Sequence, residues 1–254
     1  MHHAYIDRFA NLDSPIHRLD ARAKIVVVVI YAAVLISVPK YQIASLGPYA
    51  ILPFALLTIG AIPLGFALKQ MVMVSPLVLS LAVLNPIWDS SLRPFAGLWV
   101  RGGWLVCGSI LIKFVLGMGA LVALTGTTRF ADLLAGLQKL GLPRVLVTQL
   151  GLLYRYLFVL IDQAMHMRQG RDARLGSSAR LGRRVRTGGA MVGVLFVRTL
   201  EQAERIHCAM QARGYDGTVR VLERRGLGLA DVAFLMGSIF YVAALRFGPM
   251  LWSG

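Results

Sequence analysis

Acidic residues are scarce in this chain. Only 12 Asp and Glu stand against 27 Lys and Arg, and the long apolar runs hold almost none of them. A membrane-embedded enzyme needs carboxylates, a nucleophile or metal ligands at spaced positions, so this scarcity argues against that class. Cysteine is nearly absent as well: Cys107 falls in an apolar block and Cys208 in a polar one, which leaves no disulfide framework. The phosphate-cradling run GxxxxGK[ST] does not occur, so ATP hydrolysis has no home in this sequence. A cleavable leader is not expected either, because His2, His3, Asp7, Asp13 and Asp20 interrupt the start before any apolar core begins.

What the chain has in abundance is apolar sequence. Hydrophobic residues make up 57% of 254 positions, the mean hydropathy is +0.66, and the apolar residues come in long blocks. These values predict an integral membrane protein. The formal net charge of +15 would point a soluble protein towards nucleic acid, but here it is read as the positive charge that holds loops on the cytoplasmic side, with no nucleic-acid partner. Five spans are expected. The first is Ile25–Val38, preceded by Arg18, Arg22 and Lys24; the second is Tyr41–Ala61, which Gly47, Pro48 and Pro53 should make irregular. Met71–Leu84 with its flanks is the third. Trp104–Thr125 is the fourth, with Lys113 inside it and small residues at Gly108, Gly117 and Gly119 for close helix contact. Lys113 has no evident carboxylate partner within the spans, so it is read as snorkelling or meeting another subunit. Leu229–Phe247 is the last span, with Asp231 in its first turn complementing the helix dipole. The loop between spans three and four carries Trp88, Trp99 and Trp104, rings that favour the membrane–water boundary, and is placed outside.

Between the fourth and last spans, positions 129–225 hold 17 of the 27 basic and 7 of the 12 acidic residues. This region is therefore expected on the cytoplasmic side. It is not a plain soluble loop, because Val145–Ile161 and Ala190–Leu200 are apolar and broken only by Arg155 and Arg198. Two long helices lying under or obliquely within the membrane satisfy both halves. Their polar ends form an internal repeat. Sliding IDQAMHMRQGRDARL onto LEQAERIHCAMQARG by 39 positions aligns Asp162 with Glu201, Gln163 with Gln202, Ala164 with Ala203, Ala173 with Ala212 and Arg174 with Arg213. Each copy ends in Ala-Arg beside a glycine, a place where a helix can stop and a guanidinium can fork onto a partner. Arg198, Glu201 and Arg205 fall on one face at ion-pair spacing. The expected fold is thus all-α and polytopic, in three parts: residues 1–128 with four spans, 129–228 with the two long helices, and 229–254 with the last span. A stand-alone channel or secondary transporter is the less favoured class, since those repeat their spans and here only the cytoplasmic helices repeat.

The opening SPIHRLDARAKI, the four spans, the helix ends QGRDARLG and AMQARGYDG and the final span together resemble the transmembrane T component of energy-coupling-factor transporters. The resemblance implies that Ala173, Arg174, Leu175 and Ala212, Arg213, Gly214 are coupling-helix tips, each docking on one of two ABC-type ATPase subunits. Asp162, Glu201, Glu204 and Arg205 would support those helices. The second tip has the family's Ala-Arg-Gly intact, whereas the first has Leu175 where glycine would stand and Gly176 one place later. The resemblance further implies a substrate-capturing membrane subunit, with or without a small accessory one, in a bacterial cytoplasmic membrane with the N-terminus inside. ATP and magnesium would be bound by the partners, leaving this chain without cofactor, metal or catalytic residue. Met1-His2-His3 carries the groups of an amino-terminal metal site but on a loose terminus, and His166 and His207 lack a third ligand. The His-Arg-Leu-Asp stretch and the length look most like the cobalt and nickel group, cobalt ahead of nickel, with a vitamin-type importer as the alternative.

The charge pattern predicts N-in, C-out topology across five spans. A cysteine placed at Ser90 should react with a membrane-impermeant label added to intact cells, and one at Ser178 should not. The opposite pattern would sink this orientation.

Overall fold

The computed structural model describes residues 14–40, 44–88, 92–95, 98–175, 181–215, 217, 226 and 228–252. Among the described residues the regular structure is helical except for one small ribbon. The chain forms two compact units, one from Met1–Leu140 with Arg225–Gly254 and one from Gly141–Arg224.

The first unit contains α1 (Ala21–Ser37), two short 3-10 turns at Ala44–Leu46 and Pro48–Ala50, α2 (Ile51–Ile59), α3 (Leu64–Trp88), α4 (Gly102–Thr127), α5 (Phe130–Lys139) and α8 (Leu229–Trp252). The irregularity expected of Tyr41–Ala61 is present, since Pro48 starts one turn and Pro53 sits near the start of α2, but Pro48–Ile59 reaches only about 18 Å at helical rise against roughly 30 Å of hydrocarbon, short of the span expected there. Its job in this unit is packing. Tyr31 of α1 is fully buried and its hydroxyl donates to the Tyr49 carbonyl at 3.0 Å, while Leu46, Leu52 and Leu56 join Val27, Leu35, Ala120, Val122 and Ala123 in one core. Close approach to α4 occurs at its end, where a Cβ on Gly126 would meet Ile62 Cδ1 at 2.7 Å. Of the glycines picked out in the sequence, Gly119 has Pro53 Cβ at 3.4 Å from its notional Cβ and Gly117 has only Leu35 at 3.8 Å. The tight contact thus follows the bend after α2, which span periodicity does not reveal.

Two elements were absent from the sequence expectation. Leu92–Phe95 pairs antiparallel with Leu98–Arg101 in a two-stranded ribbon between α3 and α4, with Leu92 opposite Arg101 and Phe95 opposite Leu98. The second is α5, whose Leu134 and Gly136 are buried and which packs on Ala21 and Ile25 of α1.

Polar residues tie the helix ends of this unit together. Asp20 caps α1 by accepting from the Arg22 amide at 2.9 Å, and its own amide donates to Asp231 Oδ1 at 2.8 Å. The other oxygen of Asp231 accepts from the Gly228 amide at 2.8 Å, so a single carboxylate, 7% exposed, holds the starts of both α1 and α8. Lys24, only 4% exposed, donates to the Thr127 carbonyl at 2.9 Å and to Thr128 Oγ1 at 3.4 Å, closing the C-terminus of α4. Lys113 does the same for α1, donating to the Val38 carbonyl at 2.6 Å and that of Ile36 at 3.4 Å. An intramembrane carboxylate is therefore not what this lysine needs, because the orphan carbonyls at the end of a helix carry the partial negative charge.

The second unit consists of α6 (Arg144–Leu175) and α7 (Leu181–Ala212), each 32 residues long. Among the described residues four helices are long and apolar enough to cross a membrane, Leu64–Pro86, Gly102–Thr127, Arg144–Arg174 and Leu229–Arg246; α1 and α2, expected as the first and second spans, are shorter and are not among them. The third of these is the stretch that the sequence placed under or obliquely within the membrane because Arg155 interrupts it. Its apolar window has none of its residues buried within the protein. Like α3, with Val72, Met73 and Leu77 exposed, it offers apolar surface for lipid or for other subunits to cover.

Replacing Asp231 by Ala would strand two amides that it now satisfies, at about 1–3 kcal/mol for each donor left buried. Asp231→Ala should unfold at a lower temperature than Asp231→Asn, and both below the unaltered protein, in a thermal scan in one detergent. An Ala variant as stable as wild type would show that this carboxylate does not tie the two helix starts.

Candidate functional site

The two helix ends singled out in the sequence are built differently. At the end of α7 the Tyr215 amide donates to the Met210 carbonyl at 3.0 Å and the Gly214 amide to that of Gln211 at 2.9 Å. This is a Schellman motif with Arg213 at the cap position and Gly214 just beyond it, at φ +80°. A side chain at Gly214 would meet nothing within 4 Å, so glycine is required here by backbone conformation and not by crowding. Tyr215 and Met210 line the same groove. The result is a sharp stop that leaves Ala212, Arg213 and Gly214 exposed.

At the other end, α6 runs on through Leu175 with Ala173 and Arg174 exposed in its last turn. The charge here is arranged by Asp172. Arg171 donates to its Oδ1 from Nε at 3.0 Å and from Nη2 at 2.7 Å, and Arg168 lies one turn back at 3.7 Å from Oδ2. Among the described residues neither Arg174 nor Arg213 has an ion-pair partner, so both guanidinium groups are available to another molecule. Gly176 lies outside the described residues.

The rest of the expected ladder is looser than its spacing implies. Among the described residues Arg198, Glu201 and Arg205 close no ion pair with one another, and all three are exposed, as is Glu204. Exposed pairs of this kind gain a few tenths of a kcal/mol, too little to overcome the freedom of the side chains. Asp162 is half-buried. His207 receives a hydrogen bond from Gln211 at 3.1 Å and His166 is exposed; among the described residues no group of three His, Cys, Asp or Glu is placed to hold a metal. Met1-His2-His3 lies outside those residues.

What spacing alone left without a role is the contact between the two copies of the repeat. Gln163 Nε2 donates to Gln202 Oε1 at 3.2 Å, so the residues that the 39-position shift aligns in sequence meet in space. The alignment already contained this signal. On one side of that contact α6 and α7 separate to leave a groove of about 540 Å³, lined by Leu152, Tyr156 and Leu160 of α6 and by Gln202, Ile206 and Met210 of α7.

A polytopic helical unit with apolar helices long enough to cross a membrane, together with a pair of long helices that carry exposed arginines at their ends, fits a transmembrane component of a transporter. The chain belongs to the CbiQ family of cobalt transport proteins, whose family model matches residues 13–223. It is a T component of the type shared by CbiQ and EcfT. Among its relatives, the energy-coupling factor transporter transmembrane protein EcfT of Bacillus selenitireducens is 26% identical over 257 residues, covering 94% of this chain and 95% of that protein. An uncharacterized protein of Methanocaldococcus jannaschii is 24% identical across 95% of the chain and 85% of its own length. The cobalt transport protein CbiQ of Rhodobacter capsulatus is 33% identical over 102 residues, 40% of this chain and 41% of that one.

Because Gly214 adopts a left-handed conformation, Gly214→Ala should cost about 1–2 kcal/mol and loosen the last turn of α7 without touching the remainder. Amide hydrogen exchange at positions 212–215 should quicken by about tenfold while the first half of α7 is unchanged. Exchange at the wild-type rate would contradict the cap described here.

Proposed function

We propose that this chain is the coupling subunit of an energy-coupling-factor ABC importer for a divalent transition metal, cobalt ahead of nickel. The observation that carries the reading is the pair of exposed arginines at the ends of a repeated helix, in a chain matched by the cobalt transport family over residues 13–223. Two ABC-type ATPase subunits take one tip each. ATP binding draws those subunits together, the tips follow, and the long helices pass the movement to a substrate-capturing membrane subunit. Catalysis, ATP and magnesium belong to the ATPases; the membrane is the bacterial cytoplasmic membrane, with the N-terminus inside. Cobalt is favoured by the family's description and by the name of the Rhodobacter relative. A vitamin importer is the second reading, favoured by a match to EcfT that runs over nearly the whole chain.

Arg174 and Arg213 are the anchors in this scheme, flanked by Ala173, Leu175, Ala212 and Gly214 and supported by Asp162, Glu201, Glu204 and Arg205. An exposed tip arginine adds little to folding, but truncating a charged anchor in a desolvated groove costs about 2–5 kcal/mol of binding. Arg174→Ala and Arg213→Ala should each weaken co-purification of the ATPase subunits, the second more because Gly214 makes the sharper plug. Lysine should rescue poorly, since an ammonium lacks the planar fork. Undiminished assembly and uptake in the double Ala variant would remove this function. Uptake of labelled cobalt, nickel or a vitamin by the intact complex separates the substrate readings.

Metal choice in this scheme lies outside the chain. Titrating the isolated protein with Co²⁺ or Ni²⁺ should give no tight stoichiometric site. A site that survives deletion of Met1–Ala4 would overturn the assignment.

A further inference from the structure

We infer that Gln163 and Gln202 form the pivot about which α6 and α7 turn when their tips are driven, a role that rests on the tip-docking function proposed above. The two residues occupy the same position in the two copies of the repeat, and each is the other's hydrogen-bond partner. Because equivalent residues meet, the contact falls at the same place along each copy of the repeat, and a turn about it moves both ends by like amounts. The lever arms are equal as well: Arg174 lies as far beyond Gln163 as Arg213 does beyond Gln202, roughly 16 Å at helical rise, so a turn of about 10° shifts each tip by about 3 Å.

Three features suit this pair to a pivot. Each glutamine is followed by alanine, Ala164 and Ala203, which keeps the crossing free of bulk. The two helices meet over a short stretch, and the groove that opens beside it has Gln202 and Leu160 in its lining; opening or closing the angle therefore changes this groove without unpacking a long interface. The pair is also not saturated. Gln163 Oε1 is buried with no hydrogen-bond partner, although an amide pair can exchange two bonds where this one makes a single bond. An unfilled acceptor beside a filled donor leaves a second pairing within reach of a small rotation. Two discrete arrangements at a crossing are what a coupling element needs. Gln163 and Gln202 are thus positioning residues; nothing in their placement has them touch ATPase, nucleotide or substrate.

The test uses the complete complex, this chain with its ATPase and capture subunits, in nanodiscs, with Cys107→Ala and Cys208→Ala as background. Spin labels are placed on repeat-equivalent positions near the crossing, His166 and Arg205, and near the tips, Asp172 and Gln211. The second pair lies about three times as far from the glutamines as the first. Between nucleotide-free and ATP-bound states a pivot requires the tip distance to change by about three times the change near the crossing. Equal changes at both pairs, as in sliding, or no change at either, would overturn it. Gln163→Leu with Gln202→Leu should assemble and hydrolyse ATP while uptake per ATP falls by about tenfold, and Gln202→Glu, which still accepts from the Gln163 amide, should retain uptake. Unchanged uptake per ATP in the double Leu variant would leave the pair a merely structural contact and sink the inference. Failure of the unaltered chain to bind its ATPases would instead bring down the docking function on which it stands, and the pivot with it.

Discussion

Lipid supplies no water to a backbone carbonyl, and that deficit organises the membrane unit more than any single apolar contact. The last carbonyls of a helix have no partner within it. In this protein α1 and α4 each lend a lysine to the other: Lys24 closes the end of α4 through Thr127, and Lys113 closes the end of α1 through Val38. The exchange fixes the two helices relative to each other at two separated points. Asp231 adds the complementary fixture at helix starts, where amides and not carbonyls are unpaired. Once α1, α4 and α8 are bound in this way, the short and irregular α2 can fill the space between them without spanning anything itself.

Much of this architecture is legible in the sequence because apolar block length is a direct consequence of bilayer thickness. The positions of α1, α3, α4 and α8 follow from it, and the kinked second span follows from Pro48 and Pro53. The partners of the ionisable residues are not legible. Lys24 reads as one more positive charge at a cytoplasmic boundary until its ammonium is seen buried on the end of a helix 103 residues away. Lys113 reads as a lysine that snorkels or meets another subunit, having no evident carboxylate partner. Both partners escape the sequence for one reason: it shows which side chains carry charge, but partial charges on backbone ends appear only with the fold. The ribbon Leu92–Arg101 and the short α5 were hidden because each is too brief for periodicity to rise above its surroundings.

The helix ends present the reverse case. A shift of 39 positions aligned both tips and also the two glutamines, so the residues of interest were all visible before any coordinate was known. What they could not disclose was which aligned pair touches and which diverges. Ala-Arg-Gly at one end and Ala-Arg-Leu at the other look like a perfect and a blemished copy, and the structure distinguishes them: Gly214 turns left-handed to stop α7, while Arg174 and Leu175 are still helical in the last turn of α6. The ion pairs suggested by Arg198, Glu201 and Arg205 are not formed, whereas Asp172, passed over in sequence, gathers two arginines beside the first tip.

The apolar stretch of α6, none of whose residues is buried within the protein, has a consequence for the cell as well as for the fold. A chain made in excess of its partners displays that stretch as an uncovered face, the feature by which quality-control proteases recognise orphan subunits.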